Sequence, residues 1–375
     1  MGGYIGVDNK ARNIIGGYIG VDGVARKIVK GYIGDSNGKA RLFWSGEEPS
    51  LPIILEVEKI TSDTYAGETT YTGEEFILLD IYPKTNGTVN VTYGGLTKTI
   101  TFSESNAQQV FFGTFNGVSD SVTTPDSGTL TIDGDWKYVT VGTFVKDSKN
   151  ITQYCGCVTA VIEWGNQEMI MYYAFTNCAK LTLNELPNGI SEIGMYAFSN
   201  CTNLALTSLP NSVQLIGGYA FQNCTNLALT SLPSELTSIG SYAFYHCKNI
   251  NITEIPHGVT NIGDHAFYME KASSSTAMYG NTIILPSTLQ SIGDYAFCSA
   301  ETNSDGSVHQ GYLAGVKILA TTPPTISYDA FGEPSYYEGG VGDAIFTITV
   351  PKGCGEAYKT AEGWSGFANQ IVEAS

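Results

Sequence analysis

The feature that most constrains the fold of this chain is an internal repeat of 23 residues in its second half. Four classes of position share this period: a Phe, a Cys, a Leu-Pro or Ile-Pro pair and an Ile-Gly pair. One copy is too short to bury its own apolar side chains, so successive copies must stack. The pattern predicts a solenoid, with a core of stacked columns containing Phe175, Phe198, Phe221, Phe244, Phe267, Phe297, Cys178, Cys201, Cys224 and Cys247.

Each coil of this solenoid is expected to contain a short strand, such as Leu227-Ala228-Leu229-Thr230, paired with its neighbours about 4.8 Å away. A half-coil at 346–351 then leads into a short helix predicted around Glu356–Lys359. Segment 158–172 and the residues after Lys352 are the candidate end caps, because the terminal coils of a solenoid need a polar cover.

The repeat Ile-Gly-x-Tyr-Ala-Phe-x-Asn-Cys-x-Asn-Leu, followed by Leu-Pro, resembles the BspA-type leucine-rich repeat of bacterial surface proteins over roughly residues 160–351. The resemblance implies a binding scaffold that presents a surface to a partner, often a host or extracellular-matrix protein.

A second repeat, Gly-Tyr-Ile-Gly, recurs with a period of 14 at Gly3, Gly17 and Gly31, and each copy is followed by an Ala-Arg pair. It predicts short β-hairpins, for example around Asp22-Gly23. Units this small must lie against a larger body. They resemble repeats in tail or adhesion proteins of phages that infect Firmicutes, so we expect 1–46 to attach the chain to other virion or surface proteins.

Between the two repeats, short alternating strands separated by turn residues predict an Ig-like β-sandwich that acts as a spacer. The expected fold is therefore mainly β, in three parts: an attachment segment at 1–46, a β-sandwich at 51–150, and a leucine-rich-repeat domain with a C-terminal cap at 151–375.

The charge distribution narrows the choice of partners. The net charge is −17, although residues 1–46 carry seven basic side chains against three acidic ones. An acidic body repels nucleic acid and anionic lipid, so neither is expected as a partner. No apolar run is long enough for a transmembrane helix, and the N-terminus lacks the pattern of a signal peptide. Only 15% of the residues are charged and 43 are glycine, a composition typical of extracellular or virion proteins. A virion protein leaves the cell by lysis and needs no export signal, so we expect a virion or an extracellular location.

The sequence offers no catalytic, cofactor-binding or metal-binding group. Four of the eight cysteines repeat at a core position, which favours buried thiols. Cys155-Gly156-Cys157 lacks the spacing of a zinc or redox site. The histidines, His246, His257, His265 and His309, lie in no catalytic motif. We therefore expect a protein that is not an enzyme.

The candidate partner contacts lie where the 23-residue period breaks. Insertions at 268–282, 298–313 and 332–345 each follow an Ala-Phe pair, and insertions at one coil position collect on one side of a solenoid. Their candidate contact residues are Tyr268, Met269, Tyr279, His309, Tyr312, Tyr336 and Tyr337.

Two hypotheses of function follow. One is a phage tail or virion-associated adhesin whose solenoid binds a protein or glycan on the host cell surface. The other is a bacterial cell-surface adhesin for a host or matrix protein. A carbohydrate-active enzyme is a third alternative, although no pair of carboxylates is singled out. The sequence is compatible with a homo-oligomer, but it contains no heptad or collagen-like stretch that supports a trimer.

Overall fold

The structure is a computed structural model of the chain. It describes residues 18–21, 24–27, 30–34, 40–45, 53–58, 60–61, 75–83, 87–102, 108–115, 118–120, 123, 125–134, 136–140, 143–146, 151–154, 158–165, 167–270, 281–302, 308–311, 313–327, 329–332 and 346–375. The chain divides into two compact units, Met1–Leu51 and Pro52–Ser375.

The first unit contains two antiparallel strand pairs. Strand β1 (Tyr18–Val21) pairs with β2 (Val24–Lys27), and β3 (Lys30–Gly34) pairs with β4 (Ala40–Ser45). The second and third Gly-Tyr-Ile-Gly copies therefore each contribute a strand to an antiparallel pair. The first copy, at residues 3–6, lies outside the described residues.

The second unit begins with antiparallel sheets. Its first strands are β5 (Ile53–Glu58), β6 (Ile60–Thr61), β7 (Glu75–Pro83), β8 (Thr88–Tyr93), β9 (Leu96–Thr101), β10 (Gln108–Phe115), β11 (Val118–Ser119), β12 (Ser127–Gly134), β13 (Trp136–Thr140), β14 (Thr143–Lys146), β15 (Ile151–Tyr154) and β16 (Val158–Trp164). One five-stranded sheet has the order β11-β10-β7-β13 with β6 beside β7, and the other has the order β16-β5-β12-β8-β9. β14 and β15 form a separate pair.

Buried side chains recur at every second residue in described strands of both five-stranded sheets. In β8, Val89, Val91 and Tyr93 are fully buried while the residues between them face outward. Leu79 and Ile81 of β7 are equally buried, and all five side chains belong to one apolar cluster. This period of two is the pattern of half-buried strands. The packing of the two sheets as a sandwich stays a prediction.

Strand β16 belongs both to a sheet and to the start of the solenoid. It pairs with β5, with Trp164 opposite Ile53, and the carbonyl of Thr159 accepts a hydrogen bond of 2.9 Å from the amide of Thr182 in the first coil. The indole of Trp164 also packs edge-on against Phe175, with ring centroids 5.7 Å apart. The segment expected to cap the solenoid is therefore also a sheet strand.

The solenoid contains two parallel sheets. Its strands are β17 (Met169–Ile170), β18 (Glu192–Ile193), β19 (Leu215–Ile216), β20 (Ser238–Ile239), β21 (Asn261–Ile262), β22 (Met269–Glu270), β23 (Thr282–Leu285), β24 (Ser291–Ile292), β25 (Ser299–Thr302), β26 (Val308–Gly311), β27 (Gly315–Ile318), β28 (Thr325–Ile326), β29 (Thr347–Val350) and β30 (Ile371–Glu373). A seven-stranded sheet has the order β17-β18-β19-β20-β21-β24-β28, with one two-residue strand per coil. A four-stranded sheet has the order β23-β27-β29-β30.

The strand predicted at residues 227–230 is wrong. Those residues form no strand, although Ala228 N donates to Leu206 O at 3.0 Å and Leu229 O accepts from Asn251 N at 2.8 Å. The alternation of Leu227 and Leu229 misled the prediction, because both side chains enter the core from an irregular segment. The strands lie instead at the Ile-Gly pairs, where backbones approach so closely that a Cβ on Gly217 would lie 2.6 Å from the amide nitrogen of Met195.

A column of stacked Phe rings runs through the solenoid. Ring centroids from Phe175 to Phe331 are 5.2–5.9 Å apart in successive coils, with planes within 12° of parallel. Beyond Phe331 the column is closed by Trp364 and Phe367 of a 3-10 helix, Trp364–Phe367, at 5.9 and 5.8 Å. That helix follows α1 (Gly355–Thr360), which confirms the short helix predicted around Glu356–Lys359.

Candidate binding surface

The insertions in the solenoid build a small sheet of their own. β22 follows the buried pair Ala266-Phe267, and β25 follows the equivalent pair Ala296-Phe297 one coil later. β22 and β25 are parallel, with Met269 opposite Ser299, and β26 returns antiparallel to β25. The two insertions therefore leave their coils in the same direction and stack as the coils do. The third insertion, beyond residue 332, lies outside the described residues.

The predicted contact residues fall into four groups in the structure. Tyr268 is half-buried at the start of the first insertion, and its ring stacks on Tyr245 with centroids 5.3 Å apart and planes 9° from parallel. Met269 is only 1% exposed, so its side chain belongs to the interior. The backbone of His309 lies in β26 opposite Glu301. The remaining four, Tyr279, Tyr312, Tyr336 and Tyr337, lie outside the described residues.

A second aromatic column runs along the solenoid surface, and sequence reasoning gave it no role. It is formed by the half-buried rings of Tyr173, Tyr196, Tyr219, Tyr242 and His265. Successive centroids are 4.5–4.9 Å apart, with planes 3–9° from parallel. The signal was present in the sequence, since each of these residues is the first of an x-Ala-Phe triplet at the 23-residue period.

Every residue of this outer column has a positive φ, between 54° and 60°. Bulky side chains rarely adopt this left-handed conformation, because the Cβ crowds the following carbonyl oxygen. The fold compensates with hydrogen bonds between coils: the amide of Tyr196, for example, donates to the carbonyl of Gly218 at 3.0 Å. The same conformation and the same kind of hydrogen bond recur at this position in successive coils, which places each ring against the next.

In the fifth coil, the position of the outer column is occupied by a histidine, His265, instead of a tyrosine. Burial lowers the pKa of His265, while the carboxylates of Asp264 and Asp294 act in the opposite direction. Burial also raises the pKa of the neighbouring Tyr242, with smaller contributions from Tyr219 and the same two carboxylates. Tyr295 continues the column more loosely, at 5.2 Å and 39° from His265. This aromatic and acidic end of the column lies in the coils that carry the insertions.

The thiols of the cysteine column form hydrogen bonds between successive coils. The thiols of Cys201, Cys224 and Cys247 donate to backbone carbonyls of the preceding coil at 2.9–3.0 Å. Burial raises the pKa of Cys224 and Cys247 far above its usual range, which suppresses the thiolate needed for nucleophilic or metal chemistry. Cys155 and Cys157 lie outside the described residues.

The described residues contain no group of three or more His, Cys, Asp or Glu side chains placed to hold a metal ion. No helix in the described ranges has both the length and the apolar character needed to span a bilayer.

Comparison with known proteins gives a family match and similar solved structures. The model for the BspA type leucine rich repeat region matches residues 168–302, in six copies. A leucine-rich repeat protein from Bacteroides ovatus is 22% identical, covering 62% of this chain and 74% of that one, with a TM-score of 0.27. A leucine rich cell surface protein from Faecalibacterium prausnitzii is 16% identical, covering 61% and 85%, with a TM-score of 0.29. No curated protein matches the chain. The family match and the coil geometry together identify residues 168–302 as a region of BspA-type leucine-rich repeats.

Proposed function

We propose that this chain is a non-enzymatic receptor-binding protein of a phage tail, whose solenoid contacts the surface of the host cell. The observation that carries the proposal is the insertion sheet β22-β25-β26, which departs from one side of an otherwise regular solenoid. Insertions of this kind add nothing to the Phe column that stabilises the coils. Segments that project from a rigid scaffold are the usual carriers of binding residues.

The contact surface would combine the insertions with the end of the outer aromatic column. Tyr268 connects the two, because it begins the first insertion and its ring lies 5.2 Å from that of His265. Tyrosine provides a large rigid contact area with a polar hydroxyl, which suits an interface. The predicted contacts that lie outside the described residues, Tyr279, Tyr312, Tyr336 and Tyr337, extend the same surface in this proposal. Met269 is left out because it is buried.

The remaining parts of the chain would position this surface on the particle. Residues 1–46 carry seven basic and three acidic side chains, opposite in sign to the rest of the chain, which suits attachment to an acidic virion component. The two five-stranded sheets would act as a sandwich-like spacer. The acidic balance of the remaining chain favours a neutral or basic receptor over nucleic acid or anionic lipid.

The proposal is tested by binding of the full chain to cell-wall material of the host. The informative variant replaces residues 299–312, which include β25 and β26, with a Gly-Ser-Gly linker and retains the buried Cys298 and Leu313. Its matched control is Asn203→Ala, at an exposed position of a regular coil. We expect the linker variant to lose binding and the control to retain it, at equal melting temperatures. Full binding by the linker variant would contradict a contact role for these insertions.

A bacterial cell-surface adhesin is the second candidate, favoured by the match of residues 168–302 to BspA-type repeats. The two candidates differ in where the chain is found. Mass spectrometry of purified particles detects it if it is a tail protein, whereas antibody labelling of intact bacteria detects it if it is an adhesin. Purified particles that lack the chain would overturn the first candidate.

A further inference from the structure

A cleft opens between the sixth and seventh coils of the solenoid, away from the insertions. Its volume is about 420 Å³, within the range of about 300–1,000 Å³ typical of small-molecule sites. One wall is the turn from Ser287 to Gln290, and the other is the segment from Ala320 to Thr325. Both walls are composed of described residues in the turn between the four-stranded and seven-stranded sheets.

The cleft arises from one extra residue in the seventh coil. Leu285 pairs with Ile318 in the four-stranded sheet, and Ile292 pairs with Ile326 in the seven-stranded sheet. The sixth coil therefore passes from one sheet to the other in seven residues, from Leu285 to Ile292, whereas the seventh needs eight, from Ile318 to Ile326. The regular turn is closed by a backbone bond such as Leu289 N to Pro286 O, at 3.3 Å. Pro323 stands at the position of Leu289 and has no N–H to donate, so the turn cannot close in the same way.

The displaced segment is fixed from behind by the C-terminal cap. The hydroxyl of Tyr358 donates to the carbonyl of Ala320 at 2.8 Å, and the indole of Trp364 donates to the carbonyl of Pro324 at 2.7 Å. Both side chains are fully buried. On the other side of the cleft, Thr325 N donates to Gln290 O at 2.8 Å and keeps the coils together. These hydrogen bonds fix both walls of the cleft, and a site with fixed walls has a lower entropic cost of binding.

The polar groups lining the cleft are neutral. Ser287, Thr321 and Thr322 are exposed, whereas the hydroxyl of Thr288 already donates to the carbonyl of Val259 at 3.0 Å. Gln290 adds a carboxamide, which both donates and accepts. The half-buried ring of Pro323 supplies apolar surface, whereas Pro324 is buried, and no charged side chain lines the cleft.

We propose that this cleft binds a sugar unit of a neutral glycan. Sugar hydroxyls both donate and accept, as do the hydroxyls of Ser and Thr, so each contact can form in either direction. The apolar C–H face of a pyranose ring packs on the ring of Pro323. An anionic or cationic ligand would lose hydration in the cleft without meeting an opposite charge. The proposal goes beyond the proposed function, because the cleft lies apart from the insertions, and it rests on that function for its biological meaning.

Saturation-transfer NMR on the full chain tests the proposal, with glucose, galactose, N-acetylglucosamine and N-acetylgalactosamine as neutral probes and glucuronic acid and glycerol phosphate as charged ones. We expect transfer to at least one neutral sugar and none to the charged probes. The double variant Thr321→Val, Thr322→Val removes two hydroxyls at constant shape, and we expect it to weaken binding at least fivefold.

The matched control is Thr207→Val, Thr230→Val, at exposed positions of regular coils without the cleft. It should bind as the unmodified chain does, and both variants should keep its melting temperature. No transfer to any neutral sugar, or equal binding by the cleft variant, would overturn the proposal. If cell-wall binding persists while sugar binding is absent, only this inference fails. If sugar binds but cell-wall material does not, the proposed receptor-binding role fails instead.

Discussion

The indole of Trp164 meets the ring of Phe175 edge-on, with centroids 5.7 Å apart and planes at 81°. This contact ends the Phe column at its N-terminal side, as Trp364 and Phe367 end it at the other. Every Phe between these ends has an aromatic neighbour on both faces. The stability of the solenoid therefore depends on an uninterrupted column.

The middle of the column gives the clearest prediction for stability. Phe221→Ala should lower the free energy of unfolding by about 3–5 kcal/mol, because it leaves a cavity between Phe198 and Phe244. Thermal unfolding followed by circular dichroism measures the effect. Leu215→Ala is the control, since Leu215 is 36% exposed and should cost much less. An unchanged melting temperature for Phe221→Ala would contradict the stacked column.

The Ile-Gly position should tolerate no side chain, whereas its neighbour should. A Cβ on Gly217 would lie 2.6 Å from the amide nitrogen of Met195, while one on Gly218 would lie 3.2 Å from the carbonyl of Ser241. Other coils carry Met195 and Ser241 at the position of Gly218. We expect Gly217→Ala to cost about 1–3 kcal/mol through overpacking, and Gly218→Ala to cost less, in chemical denaturation. Equal costs would show that the close approach of the strands is not limiting.

The stability of the solenoid should fall as pH drops below the ordinary pKa of histidine, 6.5. The pKa of His265 is lowered in the folded state by burial, so the unfolded chain takes up the proton first. Stability from this source is complete above pH 6.5 and is lost as the pH falls toward the folded pKa. His265→Tyr restores the repeat residue and should remove this component in urea unfolding measured between pH 8 and 5. An unaltered pH profile would assign the effect to other groups.

The buried thiols should be inert until the protein unfolds. The pKa of Cys224 and Cys247 is raised by burial, and both thiols lie in a fully buried column. Iodoacetamide at neutral pH should therefore label neither in the native protein and both in denaturant, as read by peptide mass spectrometry. Cys354 is half-exposed and serves as the internal control for labelling of the native protein. Native labelling of Cys224 at the rate of Cys354 would refute the burial.

The sequence predicted the parts of this fold that repeat. The Phe and Cys columns could be predicted because a single period determines which residues stack. The helix that begins at Gly355 could be predicted from its composition. The strands were misplaced because a two-residue strand is too short to show alternation. Leu227-Ala228-Leu229, which does alternate, is irregular in the structure.

The candidate surface was less predictable for the same reason. In the sequence, Met269 lies at the start of an insertion, where an exposed residue is expected. The structure shows instead that Met269 lies in β22, paired with β25, and that its side chain is buried. The outer column of tyrosines was visible as a period but not as a stack, because positive φ at a bulky residue has no sequence signal. The cleft depends on one additional residue before Ile326, which matters only once the pairing of both sheets is known.

The strand shared by sheet and solenoid has a mechanical consequence. Because Trp164 at the end of β16 lies opposite Ile53 at the start of β5, tension between residue 53 and the coils enters this strand pair at one end. The hydrogen bonds between the two strands are then loaded one after another, as in peeling, rather than all together, as in shear. Trp164 is the first residue of β16 that such a force reaches. A force applied at residue 53 would therefore uncover the end of the Phe column before any coil separates.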